Sequence, residues 1–352
     1  MILTMEPLLQ DPEVTEIMID GHQRVIVEKR GKLSEVPSPY KNAAELIADI
    51  EAIFAPMGLI PNESHPLLDA RLQDGSRVNV VMPPIALNGP TLTIRKFIFR
   101  QPTLDDLVHK YHSLSEEIVT FVRTCVLGRL NIGIMGGTGS GKTTLANIIF
   151  GMIPEEERIV VTEQVNELRF KHPRVVLLEA RPANIEGKGE VTMRDLVLNA
   201  TKMRPDRILA GELHHGEAYD LLQAMNNGHD GSMFTMHATS PRDAITRLEI
   251  MMSEGSPNTS LLGLRQQIAT GLHLIVQINR SPQGNRRVTN ICEVTGMTGD
   301  VVTLQDIFVW EQTGLVDSKE QGRFRATGYI PRFVKRFHEA GIDLPVTMFT
   351  PG

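Results

Sequence analysis

Apolar and polar positions change their period along this chain, and the changes mark two domains. Over the first hundred residues the period is mostly two. Thr15–Ile19, Arg24–Glu28 and Leu33–Val36 alternate in the strand manner, with Gly31 turning the chain at Lys29–Lys32. Ala43, Leu46, Ile47, Ile50, Ile53 and Phe54 then fall at helical spacing, with Asn42 as cap and Glu45 three residues on. Asp69–Leu72 and Arg77–Met82 flank Asp74-Gly75, a hairpin signal, and Pro83-Pro84 ends the second strand before Thr91–Phe97 alternates again. Residues 1–98 therefore read as a small α+β N-terminal domain.

Residues 99–115 read as a linker, broken at Pro102, with a short helix over Leu104–His109. From 116 the order becomes strand, loop, helix, repeated. The helical patterns are Ser115–Val126, Thr144–Phe150, Thr192–Met203, Glu217–Met225, the segment opened by Ser240-Pro241-Arg242-Asp243, and Ser260–Thr270. Between them lie the apolar, β-rich runs Asn131–Met135, Ile159–Thr162, Val175–Glu179, Arg207–Ala210, Met233–Met236 and Leu274–Ile278. Such alternation predicts an α/β domain, 116–352, with a largely parallel sheet covered by helices on both faces. From about 281 the character changes. Arg286–Val294 and Val301–Trp310 predict a hairpin around Gly296 and Gly299, and Arg332–Ala340 a short basic helix.

At 352 residues, 41% hydrophobic and 22% charged, the chain is long enough and apolar enough for two cores. A net charge of −6 and the lack of interleaved basic and aromatic residues argue against a nucleic-acid partner. Cys125 and Cys292 have no metal-ligand spacing and read as buried small hydrophobes in a reducing compartment. The start of the chain lacks a basic segment ahead of an apolar one, and no run approaches eighteen apolar residues. The expectation is a cytoplasmic protein.

The chemistry is concentrated in Gly136-Gly137-Thr138-Gly139-Ser140-Gly141-Lys142-Thr143-Thr144, which fits G-x-x-x-x-G-K-[ST]. Backbone N–H groups that curl round a polyphosphate need glycine, and the helix that follows turns its unsatisfied N–H groups toward the anion. Lys142 then reaches the β/γ-phosphates and the Thr143 hydroxyl holds Mg²⁺. In a sheet of this kind ligands sit at the carboxyl ends of the strands. Three further strand ends carry suitable groups. Glu212 is placed to orient an attacking water or a metal-bound water, Glu163 is a second carboxylate, and His237 is a sensor for the γ-phosphate.

The runs Arg181–Glu212, Gln223–Ser232 and His237–Glu249, with Leu67–Pro84, Thr91–Phe97, Val302–Gly314 and Gly341–Pro345, resemble the ATPases of type II/type IV secretion and pilus assembly. The Tad/Flp pilus assembly branch is the most similar. The likeness covers nearly the whole chain and implies a RecA-like motor domain behind the N-terminal domain. It implies a homohexameric ring that binds ATP and Mg²⁺ and works with an inner-membrane platform protein, peripherally, at the cytoplasmic face of the inner membrane. It makes Gly136–Thr143 the Walker A loop, Ile208–Glu212 the Walker B strand, Thr162–Leu168 an acidic box, and Gly228–His237 a histidine box with His229 and His237. Arg71, Arg77 and Arg95 match arginines some of which contact nucleotide in the family. The expectation is that the extra helical segment which many Tad ATPases carry ahead of the N-terminal domain is missing.

Three positions depart from the family. Gln164 stands where an Asp is usual, and Lys202 and His214 stand where relatives have arginines that reach a neighbour's phosphates. Gln164 brings no charge, Lys202 lacks the planar fork, and a histidine is mostly neutral at pH 7. The expectation is a slower or partner-dependent ATPase, because an arginine finger is worth about 10³–10⁵ in rate elsewhere.

Overall fold

The computed structural model describes residues 4–29, 31–72, 75–96, 102–183, 188–316 and 319–351. Asp74 and Phe97 lie outside them, as do parts of the 99–115 and Arg181–Glu212 segments. The chain divides into two units, Met1–Gln101 and Pro102–Gly352.

The first unit contains α1 (Glu6–Gln10), β1 (Val14–Asp20), β2 (Arg24–Lys29), β3 (Lys32–Val36), α2 (Ala43–Phe54), β4 (Leu67–Arg71), β5 (Arg77–Val81) and β6 (Thr91–Arg95). Its strands form one antiparallel sheet in the order β3-β2-β1-β6-β5-β4. Alternation puts Ile17, Val25, Val78, Val80, Leu92 and Ile94 on one face, where they bury against Leu46, Ile50 and Phe54 of α2. Each such side chain is worth about 1.5–3 kcal/mol removed from water. Asn42 caps α2, accepting the Glu45 N–H at 3.0 Å, while the Glu45 carboxylate accepts the Lys41 N–H at 2.9 Å. By strand register, Arg71, Arg77 and Arg95 are direct neighbours in one row across β4, β5 and β6.

The second unit begins earlier than the pattern suggests. Leu107 and Leu114, inside the segment read as a linker, bury in its core. Its elements are α3 (Glu116–Leu127), β7 (Ile132–Gly136), α4 (Lys142–Phe150), β8 (Ile159–Glu163), β9 (Val175–Glu179), α5 (Met193–Ala200), β10 (Arg207–Leu213), α6 (Glu217–Asn226), β11 (Met233–His237), α7 (Pro241–Gly255), α8 (Leu261–Gly271), β12 (Leu274–Arg280), β13 (Arg286–Thr298), β14 (Val301–Val316), β15 (Lys319–Ala326) and α9 (Phe333–Glu339). Among the described residues the sheet has nine strands, in the order β15-β14-β13-β12-β7-β11-β10-β8-β9. From β12 to β9 they run parallel, and β13 to β15 extend the sheet antiparallel. One face packs on Phe121 of α3, Ile149 of α4 and Phe337 of α9. The other packs on Val197, Leu221, Leu248 and Ile268, one from each of α5 to α8. β15 has no clear strand pattern because its one large apolar residue, Phe324, packs edge-on to Trp310 at 4.9 Å. Gly322 fits beneath the same ring, where a Cβ would stand 2.5 Å from Trp310 Cζ2.

Candidate functional site: a phosphate cradle at the carboxyl edge of the sheet

β7 lies between β11 and β12, and its chain leaves through the glycine loop into α4. The loop geometry depends on its glycines. Gly139 and Gly141 have φ of +69° and +95°, in the left-handed region. A Cβ on Gly136 would stand 2.4 Å from the Ile278 carbonyl oxygen and 2.5 Å from Ser140 Oγ. Ser140 Oγ is buried without a hydrogen bond, as expected of a cradle shaped for an anion.

The parallel strands bring Gly136, Glu163, Glu212 and His237 to one edge of the sheet. There the loop lysine meets the groups from β10 and β11. Lys142 Nζ is 3.5 Å from Glu212 Oε1 and 3.5 Å from His237 Nε2, and it donates to the Gly137 carbonyl at 3.3 Å. His237 Nε2 is 3.2 Å from Glu212 Oε1, and His214 Nε2 is 3.6 Å from Glu212 Oε2. Among the described residues Glu212 Oε1 is buried without a hydrogen-bond partner, and Lys142 and His237 are its near polar neighbours. Burial and the Lys142 ammonium hold the His237 imidazole below its usual pKa, against the pull of Glu212. His237 is therefore neutral at pH 7, able to accept or donate.

Glu212 reaches this place through a bulge. Ala210 pairs with Phe234 and Leu213 with Met236, so two residues of β10, Gly211 and Glu212, stand opposite Thr235 alone. Strict alternation would turn Glu212 to the face of Ile208 and Ala210. The bulge gives that face to Leu213 instead. Glu212 is thereby released toward Lys142, whose helix α4 packs on the opposite face through Leu145 and Ile149. The isolated Gly211 in a strand pattern was the signal for this feature.

Glu163 is placed differently from Glu212. Its side chain is buried, and its Oε1 accepts the N–H groups of Glu167 and Leu168 at 2.8 and 2.9 Å. Burial raises its pKa to about 6 against the lowering effect of those two bonds. Gln164 is exposed and lines, with His214, a second cleft of about 800 Å³. Lys202 and His229 are not brought to the loop. Lys202 is exposed beyond α5, ahead of β10, and His229 precedes β11 with Nδ1 3.2 Å from the Ala224 carbonyl. Both stand at the amino ends of strands whose carboxyl ends carry Glu212 and His237. Arg77 and Arg95 belong to the first unit.

Two arginines beside the loop were not singled out by sequence. Arg286 Nε donates to the Gly139 carbonyl at 2.9 Å, and Arg280 Nη1 would lie 3.6 Å from a Cβ on Gly139. They reach it because β12 is the neighbour of β7, an order that the sequence does not spell out. A cleft of about 810 Å³ opens from Gly141 and Thr144 toward Tyr111, Asn285 and Trp310. That is ample room for a nucleoside beyond the phosphates.

A central parallel strand running into a glycine cradle, with lysine, carboxylate and histidine gathered at the same edge, defines a P-loop ATPase with a RecA-like motor domain. The family model described as "Type II/IV secretion system protein" matches residues 4–330, and the chain belongs to this family. A Mycobacterium tuberculosis protein named for conjugal transfer is 33% identical over 316 residues, 87% of each chain. The type IV secretion system protein VirB11 of Bartonella henselae is 30% identical over 327 residues, 82% of this chain and 91% of its own. The X-ray structure of the Legionella pneumophila ATPase DotB shares the fold with a TM-score of 0.57 at 19% identity, over 81% of this chain and 79% of its own. The Tad/Flp branch is not singled out by these relatives.

Proposed function

We propose that this chain hydrolyses ATP as a motor subunit of a type IV secretion machine of the conjugation kind. The observation that carries the activity is the meeting of Lys142, Glu212 and His237 beside the glycine cradle. Gly136 to Gly141 and the start of α4 hold the phosphates, with Lys142 on the β/γ-phosphates and Thr144 toward the nucleoside cleft. Thr143 and Glu212 would hold Mg²⁺, whose positive charge would offset the negative charge of the phosphates. Glu163 joins that shell only through Oε2, since Oε1 is committed to the 167–168 backbone. Glu212 orients the attacking water, and neutral His237 donates its N–H to a γ-phosphate oxygen.

The branch rests on the names of the relatives, which point to conjugal transfer and type IV secretion. The working form is a homohexameric ring at the cytoplasmic face of the inner membrane, held there by membrane partners such as a platform protein. Among the described residues no helix is long and apolar enough to cross a membrane. A second reading, Tad/Flp pilus assembly, is favoured by the Arg181–Glu212 and Leu67–Pro84 runs.

Steady-state hydrolysis tests the activity. Glu212→Gln is expected to lose on the order of 10²-fold or more in kcat, as removal of a key catalytic group does, while still binding ATP. Hydrolysis at the wild-type rate would overturn the assignment. Native mass spectrometry with ATP reads the six-fold ring. In the host, loss of DNA transfer in the Glu212→Gln strain supports the conjugation reading, and loss of pili with transfer intact supports the pilus reading.

A further inference from the structure

The position of Glu212 depends on a bulge, and a bulge leaves backbone groups that the strand ladder no longer pairs. At this one the Gly211 carbonyl accepts from a side chain. Thr235 stands opposite on β11, is 2% exposed, and its Oγ1 donates to that carbonyl at 2.5 Å. On the other side, Gly211 is pressed by Glu163, and a Cβ there would lie 2.6 Å from Glu163 Cγ. Gly211 is thus held between a hydroxyl on β11 and a carboxylate stem on β8.

We infer that Thr235 is a positioning residue for hydrolysis: its hydroxyl pins the Gly211 carbonyl, and the pinned bulge aims Glu212 at Lys142. This rests on the ATPase reading of the site. Among the described residues the Thr235 hydroxyl bonds the Gly211 carbonyl and no residue of the 136–144 loop. Its effect passes through the peptide that Gly211 shares with Glu212, the residue whose oxygen must meet the attacking water. The two neighbours of Glu212 Oε1, Lys142 and His237, are fixed independently, by the start of α4 and the end of β11. A shift of the bulge therefore moves the carboxylate relative to partners that stay in place.

The test uses the full chain with Thr235→Val, which keeps the shape and removes the hydroxyl, and Thr235→Ser, which keeps the hydroxyl and removes the methyl. Thr235→Val is expected to lose about 10- to 100-fold in kcat, the scale of a misplacement near 1 Å. Its KM for ATP and its affinity for ADP should stay within about twofold, since the cradle is untouched. Thr235→Ser should keep most of the wild-type kcat, even if both variants melt a little lower. A wild-type kcat in Thr235→Val would overturn the inference. So would a Ser variant as slow as the Val variant, because the effect would then follow packing. Glu212→Gln measured alongside separates the two levels. If it still hydrolyses ATP, the reading of the site fails. If it is inactive while Thr235→Val is normal, only the role of Thr235 fails.

Discussion

Glu163 is a buried carboxylate that the fold both needs and strains against. Two backbone N–H groups depend on its Oε1, yet burial pushes its pKa from the usual carboxylate range up to about 6. The folded state binds this proton more tightly than the unfolded chain. The benefit is complete below pH 4.5 and is lost as pH rises through 6. Glutamine keeps the accepting oxygen without the charge. Glu163→Gln is therefore expected to be more stable than wild type at pH 8, by about 2 kcal/mol at most, with the gap closing below pH 4.5. Urea unfolding at pH 5 and pH 8 reads it. An unchanged gap would mean that folding does not raise the Glu163 pKa. Glu163, Glu212 and His237 could all be placed at one edge from sequence, because a strand followed by a polar residue in an α/β pattern fixes its end. What the 167–168 loop does with Glu163, and that Lys202 and His229 face the other edge, depends on strand direction in space. Grouping residues by motif hides that direction.

Elements built around backbone rather than side chains were the harder ones to read. The phosphate loop was legible because its spacing is dictated by chemistry, and α2, α3, α5 and α7 because Asn42, Ser115, Thr192 and Ser240 accept backbone N–H groups as caps. The bulge in β10 and the strand β15 were missed, since both are set by neighbours: Thr235 and Glu163 for one, Trp310 for the other. Glycines inside the loop should differ accordingly. At Gly136 a Cβ meets a backbone oxygen at 2.4 Å, whereas at Gly137 nothing lies within 4 Å. Gly136→Ala is expected to cost on the order of 1–3 kcal/mol through overpacking, and Gly137→Ala less than about 0.5 kcal/mol. Thermal melts of the two variants without nucleotide check this. Equal losses would show that the close approach to β12 is not what requires glycine at position 136.

At the scale of the molecule, the two units accord with the shift of period near residue 100, while the proposed ring would draw on the placement of single charges. Lys202 precedes β10, a strand of seven residues and so about 20 Å long, and Glu212 lies near its carboxyl end. Within one subunit Lys202 is thus remote from the loop. A ring closes by head-to-tail interfaces, in which one surface of a subunit meets a different surface of the next. Groups at opposite ends of one sheet are the kind that such an interface can bring together. We propose that Lys202 acts across it, on the phosphates bound by a neighbour, as the family resemblance implies. The consequence is complementation. A ring of Lys202→Ala subunits should be slow, and a ring of Glu212→Gln subunits slower still. In a mixed ring, a Lys202→Ala subunit keeps its own Glu212 and receives Lys202 from a Glu212→Gln neighbour. With random mixing of equal amounts, half the sites have Glu212 and half of those have a neighbour with Lys202, so about a quarter of the wild-type rate returns. The measurement is steady-state hydrolysis after the two variants are unfolded together and refolded. A mixture no faster than the average of its parts would rule out Lys202 as a group that acts in trans, and would leave the whole of the chemistry to Lys142, Glu212 and His237 of one chain.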